Sequence, residues 1–106
     1  FSRIHVLDIA RIISKILFSS QNDIWNLSDN TPSSREDFLM EIVKINKIKN
    51  YKVINFKKYE KFITDKNKKF WLNNKKVCNK KMKNNLKYQF IFPSYKNGLR
   101  NLKEYL

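Results

Sequence analysis

With 106 residues the chain has room for one domain of modest size, which excludes a two-domain enzyme within these residues. A hydrophobic fraction of 42% with 14% aromatic residues supplies a core and argues against wholesale disorder. The apolar stretches run for only a few residues, far short of the about 20 that span a bilayer, so a soluble chain is expected. Charge is lopsided, with 23 Lys or Arg against 9 Asp or Glu and a net +14. Nineteen of those basic residues are Lys, beside fourteen Asn and a single Ala and Gly, a composition that AT-rich coding sequence over-produces. The bidentate phosphate-gripping residues are only Arg3, Arg11, Arg35 and Arg100, scattered along the chain. A solvated basic surface is therefore expected, and a nucleic-acid partner is not, although a small basic nucleic-acid-binding module stands as the alternative. The lone Cys78 has no intrachain partner, which fits a reducing cytoplasm. No basic stretch and apolar stretch lie ahead of Phe1, which predicts a piece of a longer protein without a signal peptide.

Along the chain, Ile4-His5-Val6 is a short apolar run ending at Asp8. Ile9, Ile12, Ile13, Ile16 and Leu17 then keep helical spacing, with Asp8 placed to cap the first amides. Ser19 to Asn22 break this helix, and Ile24-Trp25-Asn26-Leu27 reads as a strand leaving through Ser28, Asp29 and Asn30. Thr31-Pro32-Ser33-Ser34 opens a second helix. Ser33 and Glu36 have capping-box spacing, Phe38, Leu39, Ile42 and Val43 form the stripe, and the end is expected near Asn46. Tyr51 to Phe56 is strand-like, followed by a helical turn or two carrying Tyr59, Phe62 and Ile63. Thr64 to Lys69 reads as an exposed connection, and Phe70-Trp71-Leu72 and Lys75-Lys76-Val77 as extended. Asn79 starts a short helix with Met82 and Leu86 inward; Phe90-Ile91-Phe92 is extended up to Pro93. Ser94 caps a last helix on which Tyr95, Leu99, Leu102 and Leu106 share a face.

Catalytic signals are sparse. Nucleophilic catalysis needs a base, and His5 is the only histidine; flanked by Ile4 and Val6, it reads as a packed, hydrogen-bonded core residue. One Cys and one His do not make a zinc site, so no metal is expected. Phosphate-cradling loops use several glycines, whereas Gly98 stands alone inside a helical pattern. Glu36, Asp37 and Glu41 suit the first turns and outer face of the second helix, and Trp25 and Trp71 read as packing anchors.

Four strings in order nevertheless resemble one family. Phe1-Ser2-Arg3-Ile4-His5-Val6-Leu7-Asp8-Ile9-Ala10 is similar to an R-I-H-V-x-D-[IVL]-A signature, and Ile24-Trp25-Asn26-Leu27-Ser28-Asp29-Asn30-Thr31-Pro32 to Y-N-[LV]-[SA]-D-[DN]-x-P, with Trp25 in place of Tyr or Phe. Leu72-Asn73-Asn74-Lys75-Lys76-Val77-Cys78-Asn79-Lys80-Lys81-Met82 is similar to L-S-N-K-R-V-x-N-x-[KR]-[LM]. Tyr88-Gln89-Phe90-Ile91-Phe92-Pro93-Ser94-Tyr95-Lys96-Asn97-Gly98-Leu99 is similar to a Y-P-x-Y-x-x-G-L ending. These are the marks of the C-terminal portion of an NAD(P)-dependent epimerase/dehydratase-like, atypical or extended, short-chain dehydrogenase/reductase. The resemblance implies an α+β substrate-side lobe over residues 1–106, with about four helices and short strands, packed on an upstream Rossmann domain. That absent domain would hold the NAD or NADP and the usual Tyr-x-x-x-Lys pair, so this chain alone is expected to bind no cofactor and to be inactive. Carried over residue by residue, it implies substrate-side roles for Arg3, His5, Asn74, Lys75 and Lys76. Lys76 stands where the family has Arg and Asn73 where it has Ser, which weakens an anion grip there, because Lys lacks the bidentate fork.

Overall fold

In the computed structural model, which describes residues 1–104, all regular secondary structure is helical. Helix α1 spans Val6–Leu17, α2 Arg35–Ile45, and α3 Phe56–Tyr59, continued by a single 3-10 turn, Glu60–Phe62. Helices α4 Asp65–Leu72, α5 Lys80–Leu86 and α6 Tyr95–Lys103 complete it. The expected α+β lobe with short strands is thus corrected: no strand forms among the described residues. Ile24–Leu27, 51–55, 75–77 and 90–92 are non-helical as read, but none pairs with another. A strand exists only where its amides and carbonyls meet a neighbouring strand. Here they meet side chains instead. Lys81 Nζ donates to the Ile24 carbonyl at 3.1 Å, Val77 donates to Ser2 Oγ at 2.8 Å and its carbonyl accepts from Ser28 Oγ, and Ile91 and Phe92 donate to Asp8. Val, Ile and Phe in these segments record a preference for extended backbone, which is not pairing.

Helix boundaries move for local reasons. α1 starts ahead of Asp8 because His5 is its N-cap, with Nδ1 accepting from the Leu7 amide at 3.2 Å. α2 is capped by Ser34 and not by Ser33: Ser34 Oγ accepts from the Asp37 amide at 2.9 Å and donates to Asp37 Oδ2 at 2.7 Å. Its C-cap is Asn46, where the stripe was expected to end. The largest change lies at 64–72, read as a connection and an extended segment. Thr64 Oγ1 accepts from the Asn67 amide at 3.3 Å and Asp65 sits in the first turn, so the Lys-rich run Asp65–Leu72 is a helix that includes Phe70 and Trp71. α5 keeps Met82 and Leu86 buried, and Ser94 caps α6 through the Asn97 amide, both as read. Leu106 lies outside the described residues.

The core is small. Ile12 of α1, Met82 and Leu86 of α5, and Tyr88 are buried, with Ile4, Ile16, Trp25, Leu27 and Phe90 packed around them. α1 packs on α5 and α2 on α6. A radius of gyration of 16.8 Å exceeds the about 13 Å of a compact domain this long, and the molecule measures 51 × 33 × 18 Å. The helical stripe read on α1 splits accordingly: Ile12 is buried and Ile9 and Ile16 half-buried, while Ile13 and Leu17 face solvent beside Val6 and Phe18.

At the centre sits Asp8, fully buried, which accepts from Tyr88 Oη (2.7 Å), the Ile91 amide (2.9 Å) and the Phe92 amide (3.0 Å). Removing this acceptor strands three donors, two of them backbone amides. Asp8→Ala is expected to destabilise the chain by about 3 kcal/mol in urea denaturation, while Glu36→Ala on the exposed face of α2 changes it by about 0.5 kcal/mol or less.

Candidate functional site

The four strings named above form one polar cluster. Asn79 leaves its helix uncapped and turns its side chain into the 28–30 loop, donating to the carbonyls of Ser28 (2.8 Å) and Asp29 (3.0 Å) and to Asn30 Oδ1 (3.0 Å). The Asp29 amide donates to the Arg3 carbonyl at 2.6 Å, and the Asn30 amide to the Pro93 carbonyl at 3.0 Å. Asp8 ties α1 to the 88–92 segment, and Gly98 of α6 lies against His5. Ser28, Asp29 and Asn79 are all buried. Buried polar groups at this density persist only when mutually satisfied, so the cluster fixes the relative placement of four separate segments.

His5 is the packed histidine the sequence suggests, and it also has a task the sequence does not announce. Its Nδ1 caps α1, its ring lies 4.0 Å from the Phe92 ring, and it is 9% exposed. Because Nδ1 accepts a hydrogen bond, the neutral ring carries its proton on Nε2, which is buried and has no partner. The only glycine explains itself here. A Cβ at Gly98 would sit 3.0 Å from His5 Cδ2, so the absence of a side chain lets α6 approach the ring. Gly98 is therefore a packing glycine inside a helix; these residues do not build a phosphate loop and do not fit a dinucleotide.

Arg3 donates from Nη1 to Ser33 Oγ at 2.7 Å and lies 4.1 Å over the Phe38 ring. Burial lowers its pKa, opposed by the nearby Asp29 carboxylate and Tyr95 hydroxyl. Asp29 is held in the opposite sense: burial raises it, against the Thr31 amide (2.9 Å) and Arg3. A second arginine escaped the sequence reading. The Arg35 guanidinium lies 4.0 Å from the Phe1 ring and 4.3 Å from those of Phe70 and Trp71, and it donates to the Phe70 carbonyl. Its pKa is lowered by burial and then by Arg3. Contacts across 34 to 36 positions leave no spacing signal, so only the fold could reveal this aromatic cage.

Arg3 and His5 share the wall of one cavity; Asn74, Lys75 and Lys76 do not line it. All three are exposed, on the connection between α4 and α5, whose far end is tied down by Val77. Among the described residues no three His, Cys, Asp or Glu side chains converge on a point, and no helix is long and apolar enough to cross a membrane. No protein-family model, curated protein or solved structure matches the chain.

Two substitutions test this architecture. Gly98→Ala, which in an open helix would gain about 1 kcal/mol, is expected instead to lower the thermal midpoint, because His5 must shift from the α1 cap to admit the methyl group. Burial and the bond to Asp8 push Tyr88 up to about 12, above its ordinary value of 10.0. The neutral phenol is thus favoured by folding, and its contribution is intact below pH 10 and lost as pH rises through about 12. Tyr88→Phe is expected to be less stable than the parent at neutral pH and to lose less stability between pH 9 and 12, as read by circular dichroism in urea at each pH.

Proposed function

We propose that this chain is the substrate-side C-terminal part of a cytoplasmic NAD(P)-dependent oxidoreductase or epimerase of the short-chain dehydrogenase superfamily. The observation that carries the reading is the convergence of the four family-like strings on one buried polar cluster. Asp8 of the first string meets Tyr88, Ile91 and Phe92 of the last, and Asn79 of the third meets Ser28, Asp29 and Asn30 of the second. Residues that resemble a family's motifs and also hold one another in place behave as a unit, which four chance likenesses would not be expected to do. The outer face of α1 adds support. Leu17 and Phe18, 76% and 89% exposed, follow Val6 and Ile13 on this helix and precede Ile24, 85% exposed, giving a set of solvent-facing apolar side chains that a cofactor domain would cover.

On this reading the nicotinamide supplies hydride exchange from a Rossmann domain encoded upstream, and these residues select and enclose a small-molecule substrate. Arg3 presents a desolvated cation near the junction, and His5 fixes the start of α1 and its distance from α6. Asn74, Lys75 and Lys76 are exposed where they can meet substrate or the neighbouring domain.

The test is expression of the complete reading frame beside the 106-residue chain. The complete product is expected to quench its tryptophan fluorescence on addition of NADH or NADPH and to oxidise the reduced cofactor with a carbonyl substrate, and the short chain to do neither. A reading frame with no Gly-rich strand-to-helix turn ahead of Phe1 overturns the proposal.

One observation favours a second reading, the basic nucleic-acid-binding module. Eleven of the nineteen Lys fall between residues 47 and 76, with only Glu60 and Asp65 opposing them, beside exposed Phe62 and Phe70. It requires single-strand binding whose affinity falls steeply with salt, with a logarithmic slope of about −0.7 per phosphate neutralised. Fluorescence anisotropy with a labelled oligonucleotide at two salt concentrations decides it, and undetectable binding at low salt removes it.

A further inference from the structure

The cavity between the first residues of the chain and α6 has a chemistry of its own. It encloses about 280 Å³, at the small end of ligand pockets and far too small for a dinucleotide. Its polar wall holds Arg3, His5, Asp29 and Tyr95, and its apolar wall includes Phe38 and Leu99. Two features there favour negative charge. Arg3 spends one N–H on Ser33 Oγ and stacks on Phe38, and no carboxylate among the described residues comes within ion-pair distance of it, although Asp29 is near. The N-terminal turn of α6, a helix of nine residues, begins at Tyr95 on the cavity wall and brings the positive end of its dipole. His5 lines the same wall, with the Cγ–Cδ2 edge of its ring toward Gly98.

Asp29 opposes a bare anion. A ligand that carries a hydrogen-bond donor beside its carboxylate turns this opposition into a contact. From these groups we infer that the cavity is a binding site for a small hydroxycarboxylic acid: its carboxylate on Arg3, its hydroxyl donating to Asp29, and a short hydrocarbon body between Phe38 and Leu99. As the substrate class of the proposed enzyme the inference rests on that reading; as a binding property of this chain it does not. The carbon that bears the hydroxyl is also one from which a hydride can pass to an oxidised nicotinamide, the hydroxyl proton going to the Asp29 carboxylate that accepts from it as the alcohol becomes a ketone, so the ligand class and the proposed reaction agree chemically.

The experiment is a titration of the ¹⁵N-labelled 106-residue chain with 2-hydroxy-4-methylpentanoate, followed in amide NMR spectra. Saturable shifts at Tyr95, Gly98 and Leu7 are expected, with affinity about tenfold weaker for 4-methylpentanoate, which lacks the hydroxyl, and about tenfold weaker for Arg3→Lys, which keeps the charge and loses the fork. Leu102→Trp, at an exposed rim position where folding is not at stake, is expected to narrow the cavity and weaken binding as well. Absence of saturable shifts at millimolar ligand overturns the inference, as do equal affinities for the two acids or shifts confined to the Lys-rich residues 47–76. Binding here without cofactor turnover by the complete product keeps the site and rejects the enzyme, whereas turnover without binding rejects the site alone.

Discussion

A carboxylate with no solvent exposure must be surrounded by donors or it bears the full cost of losing its water. Asp8 meets that constraint with one hydroxyl and two backbone amides, all drawn from residues 88–92. The remaining geometry depends on it. Tyr88, held by its hydroxyl, completes the core with Ile12, Met82 and Leu86, and the turn at Ile91 and Phe92 sets where Pro93 accepts from Asn30 and where Ser94 starts α6. α6 in turn carries Gly98 to the face of His5, and His5 caps the helix on which Asp8 sits. The circuit closes on itself, which is why a core of four buried hydrophobic residues among those described suffices to position this many segments.

Outside this circuit the chain is loosely held. The 47–76 region contributes no fully buried side chain, and its main attachment is the Arg35 guanidinium among Phe1, Phe70 and Trp71. Desolvated arginine over aromatic rings is a directional contact of modest strength. The elongated shape and the solvent-facing apolar residues of α1 have the same origin: the sequence carries more apolar surface than 104 described residues can bury against one another.

Much of the local structure is legible in the residues themselves. The α1 periodicity, the stop of α2 at Asn46, the inward Met82 and Leu86, and Ser94 as a cap all follow from short-range chemistry that neighbouring residues supply. The errors share a cause. Asp8 has the spacing of a cap, yet its oxygens are claimed by residues 80 to 84 positions away, and His5 takes over the cap. Ser33 and Glu36 have capping-box spacing, yet the Ser33 hydroxyl is claimed by Arg3, and Ser34 takes over. The strand-like runs are non-helical, but whether such a run becomes a strand is settled by what lies beside it, and at 24–27 and 75–77 side chains lie there.

The candidate site divides along the same line. Sequence alone determined which residues have the chemistry: Arg3 as the forked cation, His5 as the one imidazole, Gly98 as the one backbone able to come close, and a lysine excess found in every segment but densest between residues 47 and 76. Tertiary structure decided which of them meet. It put Arg3, His5 and Tyr95 on one small cavity, left Asn74, Lys75 and Lys76 on the surface away from its wall, and gathered Arg35 with rings that no local pattern connects to it. Local order depends on hydrogen bonds and side-chain spacing within about one helical turn and is written in the chain. A site depends on long-range hydrogen bonds that compete with those local ones, and the outcome of that competition exists only once the chain has folded.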